Sequence, residues 1–388
     1  METRGGKGLK IAGVICEYNP FHNGHARHLR LTREASGCDY IVCCMAGAFT
    51  QRGEPAIVDK FLRAEMALRC GADAVVELPA LFAVRTADVF AAAGVSILSA
   101  LGVDILSFGA ETADLETLYA LARLREEEPP ALSQAVREGL RAGKAHARAH
   151  GEAVAALLGL DTRHPNAILA AEYLRAMQKQ RSPMRPLPIA RKGEYHDEEL
   201  SPLASATAVR KAMREGESVR EAVPLEVWNL LEGAPLSGPL DDLGLYRLRE
   251  TDLSRLVGAG EGLENRLRQA AQGASTLAAA VDAVKCKRYT RARIARLAAA
   301  ALLGMDAALA ARHPLPGYAR LLGFRKSARP LLARMAQGTM PFVSRAAQLK
   351  GDEVFAFECR ATDIWGLSTK EPALRAAGRD FTQRLIVL

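Results

Sequence analysis

Apolar and polar positions alternate in blocks along the first 215 or so residues. Short runs rich in Val, Ile and Cys are separated by stretches whose apolar positions recur at helical spacing. The runs 10–17, 40–45, 74–78, 105–108 and 187–190 predict strands, and 25–35, 59–70, 87–100, 114–127 and 167–180 predict helices. Near-continuous apolar strands alternating with amphipathic helices indicate a parallel sheet covered on both faces, that is, a Rossmann-like, doubly wound α/β fold. The stretch 129–160 reads as helical and extends this unit without adding a strand. Ser205 is placed to cap a further helix over 205–214.

After residue 216 strand-like runs become scarce. The stretches 221–232, 263–271, 291–303, 307–312, 330–336 and 343–349 predict helices, with Gly/Pro breaks at 233–240 and 313–317. This places a boundary near 216–218, giving an α/β domain over 1–216 and a mainly α-helical domain over 217–388.

Composition narrows the class without deciding it. A chain of 388 residues with 49% apolar and 25% charged positions is globular in balance and long enough for two or three domains. No apolar stretch reaches the length of a membrane span, and the basic first ten residues lead into no signal-like apolar region, so a cytoplasmic protein is expected. Seven cysteines form no CxxC pair, which points to a reducing compartment and no structural zinc. Charge is more telling. Residues 281–350 hold fourteen Lys or Arg against Asp282 and Asp306 only, within a chain whose net charge is +8. A basic region on an otherwise mildly acidic protein suggests a polyanionic partner; an Arg-rich solvated helical surface is the plainer alternative.

The sharpest chemical signal is the exit of the first strand, where Cys16-Glu-Tyr-Asn-Pro-Phe-His22-Asn-Gly24-His25 carries HxGH into a helix. In an open parallel sheet ligands bind at the carboxyl ends of the strands, and a helix N-terminus there favours anions. Gly24 would let backbone approach a ligand, and two imidazoles three residues apart could donate to phosphate oxygens as charge builds. Taken alone, HxGH also fits half of a metal site or two surface histidines beside a turn. GxxxxGK[ST] is absent. Three further loops follow predicted strands and would gather at the same edge: 46–55 with Gln51 and Arg52, 107–111 with Gly109, and 191–197 followed by Ser205-Ala-Thr207-Ala-Val-Arg210. Each also reads as an ordinary surface loop or helix entry.

HxGH after the first strand with a later S-x-T-x-[IV]-R helix start resembles the HIGH-type nucleotidyltransferase superfamily. The longer strings GVICEYNPFHNGH, QRGEPAIVDKFLRAEMAL, ELP, LSFGAE, HPNAILAAEY, YHD, SATAVRKAM, CKRYTRARIARL and YARLLGF resemble the tRNA(Met) cytidine acetate ligase family, over about residues 10–350. The resemblance implies an ATP-dependent carbon–nitrogen ligase. ATP and acetate would give acetyl-adenylate and pyrophosphate, and the acetyl group would pass to N4 of the wobble cytidine of elongator tRNA(Met). It implies an ATP site formed by Ile15, Cys16, Glu17, Tyr18, Asn19, Pro20, Phe21, His22, Asn23, Gly24, His25 and His28, with Gly109, Asn166 and Arg191. His22 and His25 would be the catalytic pair nearest the phosphates, Ser205, Thr207 and Arg210 would clamp the triphosphate, and Mg²⁺ is expected with ATP. The sequence departs from the family at Ala46 and Ala48, where a hydroxyl and a carboxamide are expected, whereas Gln51, Arg52 and Lys60 remain.

For the RNA, Lys285, Lys287, Arg288, Arg291 and Arg293, with Arg296, form the basic cluster expected to meet tRNA phosphates. Tyr289, Tyr318 and Phe324 are its candidate stacking aromatics, each also a plausible core residue. Two other functions compete: a small-molecule adenylyltransferase, and a non-catalytic RNA-binding protein that keeps a nucleotide fold.

Overall fold

The computed structural model describes residues 8–127, 129–144, 146–158, 165–190 and 201–388. Its strands are β1 (Ile11–Cys16), β2 (Tyr40–Ala46), β3 (Ala74–Leu78), β4 (Ile105–Ala110), β5 (Arg185–Ala190), β6 (Ala319–Phe324), β7 (Phe342–Val343) and β8 (Ile386–Val387). They form one sheet in the order β5-β4-β1-β2-β3-β6-β7, with β8 also pairing β6. Pairing is parallel from β5 to β3 and antiparallel between β3 and β6.

Period-two alternation explains why the predicted strands are almost wholly apolar. Ile11, Ile15, Val42, Cys44 and Val76 enter the apolar layer on one face, while Ala12, Val14, Ile41, Cys43 and Val75 enter the other. The helices Asn23–Ser36 and Lys60–Arg69 lie among the elements touching β1 and β2, and Ala87–Ala100 packs against Pro165–Lys179. Caps set their limits. The Asp59 carboxylate accepts from the Phe61 and Leu62 N–H groups at 2.7 and 3.2 Å, and Gly37 closes the first helix in the left-handed region.

Several expectations needed correction. Strand β5 begins at Arg185, ahead of the expected 187, and carries Pro186 and Pro188; it is an edge strand, so a missing N–H on its open side costs no ladder bond. Strand β4 runs on through Gly109 to Ala110, pairing with Ile189 and Ala190, so Gly109 lies within a strand and not in the loop expected after 108. The helix expected over 221–232 is confined to Leu225–Leu231 behind Pro224, and 129–160 divides into Pro130–Arg141 and His146–Leu158, with 159 and 160 outside the described residues. The helix expected over 343–349 is instead the end of β7 followed by a short 3-10 turn, Ala346–Leu349.

The C-terminal part is largely helical, with Asp241–Glu250, Leu263–Gly273, Leu277–Val284 and Arg291–Leu303 packed on one another. The sheet nevertheless draws on both sides of residue 216, because β6 joins β3. Strand β6 escaped the sequence reading because Arg320 interrupts its apolar run. Arg320 is buried, and its guanidinium pairs with Glu77 at 3.0 Å and with Asp380. Lys60 completes this buried cluster, 2.6 Å from Glu77, 2.9 Å from Glu358 and 2.8 Å from Asp380. No helix of the described residues is long and apolar enough to cross a membrane.

Candidate active site

The strand order reverses beside β1: β2 and β3 lie to one side, β4 and β5 to the other. Crevices for ligands open at such switch points, beyond the carboxyl ends of the strands. A cavity of about 920 Å³ occupies this position. First-turn residues of five helices line it: Gly24 and His25, Ala87 and Asp88, Asn166, Ala206 and Thr207, and Arg291 and Ala292. Amide groups unsatisfied within a helix and the positive end of its dipole concentrate there, so the fold builds an anion site before any side chain is considered.

The turn after β1 is held rigidly. Tyr18 adopts φ 47°, a left-handed conformation that costs a non-glycine residue on the order of 1 kcal/mol. Its buried ring packs on Phe21 and His25 at 4.7 and 4.8 Å between centroids, and its hydroxyl lies 3.5 Å from the Cys43 Sγ. Arg63, fully buried, donates to the carbonyls of Glu17 (2.6 Å), Ala46 (3.1 Å), Val58 (3.2 Å) and Gly47, stapling the ends of β1 and β2 together. The Glu17 carboxylate accepts from the Gln51 N–H at 2.7 Å, which ties the 46–55 loop to the same turn.

Two histidines take the parts usually played by Ser and Glu in a capping box. The His22 Nδ1 accepts from the Gly24 N–H at 3.0 Å, and the His25 Nδ1 accepts from the His22 N–H at 3.3 Å. The rings overlap with centroids 3.7 Å apart and 31° between planes. A ring nitrogen that accepts is unprotonated, so in both neutral imidazoles the proton sits on Nε2, where it can be donated. Gly24 is required for this arrangement: a Cβ there would lie 2.8 Å from the His22 ring.

Charge and apolar surface divide the cavity wall. Six arginines, Arg27, Arg52, Arg125, Arg210, Arg291 and Arg296, line it against three carboxylates, Glu17, Glu54 and Asp88. Burial lowers the pKa of Arg210, whose guanidinium donates to the Asn19 carbonyl at 2.8 Å and to the Thr207 hydroxyl at 3.1 Å. An apolar stretch formed by Phe108, Leu169, Tyr173 and Ile189 lies with Gly109 on the β4–β5 side. A large cavity with an apolar stretch and a polycationic one suits a ligand with a flat ring system and a polyanionic tail, such as a nucleoside triphosphate.

The comparisons with known proteins agree with this chemistry. A family model described as HIGH Nucleotidyl Transferase matches residues 9–380. The tRNA(Met) cytidine acetate ligase of Syntrophotalea carbinolica is 41% identical over 363 residues, covering 88% of this chain and 86% of that protein. The chain belongs to the tRNA(Met) cytidine acetate ligase family. A relative so named from Acetivibrio thermocellus is 34% identical over 98% of this chain and its own full length. Among solved structures, Thermotoga maritima TmcAL superposes with a TM-score of 0.89 in its apo form and 0.86 in a form bound with alpha-thio ATP, at 31% and 32% identity over 98% of this chain and 100% of each neighbour.

Of the residues that family resemblance marks for ATP, Ile15, Cys16, Glu17, Tyr18, Asn19, His22, Gly24, His25, His28, Gly109, Asn166, Thr207 and Arg210 line the cavity. Pro20, Phe21, Asn23 and Ser205 are not among its lining residues. Phe21 is core, Asn23 donates to the carbonyls of Pro202 and Glu221 at 3.0 and 2.7 Å, and Ser205 caps its helix by accepting from the Ala208 N–H at 3.2 Å. Arg191 and the 191–197 loop lie outside the described residues. Lys60, named in sequence beside Gln51 and Arg52, belongs to the buried ion cluster and not to the cavity wall.

The basic cluster of the C-terminal part also divides. Lys285, Lys287 and Arg288 are exposed on the turn that precedes the helix Arg291–Leu303. Arg293 turns to Glu261 at 2.9 Å, whereas Arg291 and Arg296 line the cavity. Tyr289 and Tyr318 are buried, and the Tyr289 ring lies under the guanidiniums of Arg266, Arg288 and Arg293, so neither offers a base a stacking face. Sequence reasoning missed Arg27, Thr86, Asp88 and Arg125. The Thr86-Ala-Asp88 helix start was the one signal that could have pointed to some of them.

Proposed function

We infer that this protein is an ATP-dependent acetate ligase that acetylates N4 of the wobble cytidine of elongator tRNA(Met). In the first step an acetate oxygen attacks the α-phosphorus of ATP, the bond from that phosphorus to the bridging oxygen breaks, and pyrophosphate leaves. In the second the cytidine amine attacks the acetyl carbon, the bond to the phosphate oxygen breaks, AMP leaves, and the amine gives up a proton to solvent. Neither step needs a covalent protein intermediate, so the protein contributes positioning and charge stabilisation.

The observation that carries this reading is the stacked His22–His25 pair beside a wall of arginines, in a chain of this family. In the proposed mechanism the two Nε2–H groups donate to phosphate oxygens as negative charge builds. Arg210, braced by Asn19 and Thr207, holds the triphosphate, and the apolar stretch around Gly109 receives the base. Mg²⁺ would enter on the phosphates and offset part of their charge; among the described residues no group of three His, Cys, Asp or Glu side chains is placed to hold a metal ion. The exposed turn bearing Lys285, Lys287 and Arg288 runs directly into a helix whose first turn lines the cavity. In the proposed division residues 217–388 carry the RNA surface and 1–216 most of the nucleotide site, in a cytoplasmic enzyme.

The test is pyrophosphate release from ATP by the purified protein, with and without acetate and with and without bulk tRNA. Acetate-dependent release together with acetylcytidine in tRNA digests is expected. A dinucleotide product would reassign the protein to small-molecule adenylyl transfer, and tRNA binding with no ATP turnover under any combination would make it a binding module.

A further inference from the structure

Arg296 belongs by sequence to the basic string expected to meet RNA, yet the fold places it on the cavity wall. The helix Arg291–Leu303 presents Arg291, Ala292, Ala295 and Arg296 to the cavity, positions related by three- and four-residue steps that lie along one side of the helix. The two alanines keep the space between the arginines clear. The helix is fixed against the loop that carries Arg52. Gly53, with φ +83°, sits so close that a Cβ there would lie 2.7 Å from the Ala295 carbonyl oxygen. Arg291 strengthens this junction, 3.5 Å from Glu54 and 2.9 Å from Asp282.

Its neighbours on the helix are satisfied within the protein and Arg296 is not. Arg291 has its two carboxylates and Arg293 pairs with Glu261, but Arg296 has neither an ion pair nor a hydrogen bond among the described residues. Burial lowers its pKa, repulsion from Arg293 lowers it further, and Asp88 only partly opposes them. A half-buried guanidinium kept without a partner, at a cavity edged by helix N-termini and the His22–His25 pair, is a cation awaiting an anion.

We propose that Arg296 is a ligand of the ATP triphosphate, so that the helical C-terminal part supplies a binding residue to the adenylation step as well as a surface to the RNA. The assignment rests on the ligase reading above only for the identity of the reaction; the binding of a nucleoside triphosphate can be measured without it. The planar guanidinium fork can hold two phosphate oxygens together, which the point charge of a lysine does less well.

The experiment compares wild-type full-length protein with Arg296→Gln and Arg296→Lys. ATP affinity is measured by calorimetry, pyrophosphate release at varied ATP with saturating acetate, and bulk tRNA affinity without ATP. Arg296→Gln is expected to weaken ATP binding and raise the KM for ATP by about tenfold to a hundredfold, as when a charge-assisted hydrogen bond is removed. Arg296→Lys should recover part of that loss, and tRNA affinity should stay within about twofold of wild type in both. Unchanged ATP affinity with weakened tRNA binding would overturn the proposal and return Arg296 to the RNA surface. Should the Gln variant fail to fold, the Lys variant decides alone: ATP affinity equal to wild type counts against the assignment. If wild type binds ATP through Arg296 yet releases no acetate-dependent pyrophosphate, the ligase reading fails and this assignment stands.

Discussion

The Lys60 ammonium lies 2.9 Å from the Glu358 carboxylate, a contact across 298 residues of sequence in which both side chains are buried. Burial opposes the charge on Lys60, but Asp380, Glu358 and Glu77 override it and raise its pKa. The cluster pins the last helices of the chain to the turn after β3, since the other Glu358 oxygen accepts from the Ala80 N–H at 2.5 Å. Lys60→Met removes the cation and leaves three buried carboxylates facing Arg320 alone. It is expected to destabilise the fold by about 3–5 kcal/mol, read by denaturant unfolding. A loss below about 1 kcal/mol would mean that the cluster adds little to stability.

The same cluster imposes a pH dependence. Burial and the neighbouring Glu77 push Glu358 up to about 7, against an ordinary value of 4.5, with Lys60 opposing them. A carboxyl whose folded pKa is raised binds its proton more tightly in the folded state, so its contribution is full below about 4.5 and is lost as pH rises to about 7. Asp380 is the opposite case. Burial resists its ionisation, but Lys60 and Arg320 hold it down at about 2, so its contribution is present above 3.8 and lost as pH falls toward 2. Between pH 5 and 8 the Glu358 effect governs this pair. Stability should fall on the order of 1–3 kcal/mol across that window, and Glu358→Gln should flatten the fall in pH-resolved thermal unfolding.

Gly24→Ala tests the histidine cap. The new Cβ would displace the His22 ring and break its bond from the Gly24 N–H, at a cost of about 1 kcal/mol in cap stability. Pyrophosphate release should drop at least about tenfold while tRNA affinity is retained. Normal turnover would show that the stacked geometry is dispensable.

His25→Ala removes one of the two Nε2 donors. A loss of about a hundredfold or more in acetate-dependent pyrophosphate release is expected, as for a donor aimed at charge developing in a transition state. Binding of tRNA should be unchanged. A large loss of tRNA affinity instead would sink the separation between nucleotide site and RNA surface.

Charge reversal at Lys285, Lys287 and Arg288 addresses the exposed turn. For every RNA phosphate no longer neutralised, the slope of log affinity against log salt should fall by about 0.7–0.9, with pyrophosphate release in the absence of tRNA little changed. An unaltered slope would place the RNA elsewhere.

Much of the fold was legible because its strands are buried on both faces and its helices on one, and both patterns are local. The limits 74–78, 87–100 and 291–303 agree with those observed for the same reason. Strand β6 was not legible, since Arg320 is tolerated in it only through Glu77 and Asp380, partners that a local pattern cannot contain.

The sequence by itself determined the β1–HxGH–helix unit, its place at the carboxyl end of the strands and the basic cluster at 285–288, because short-range spacing and net charge survive any arrangement of the rest. Tertiary structure alone decided which arginines face the cavity and which turn elsewhere. Residues 291 and 293 stand two apart on one helix and point to different surroundings, one to the cavity and Glu54, the other to Glu261. Residues two apart on a helix diverge by over half a turn, so charge summed along a string says nothing of where each charge points.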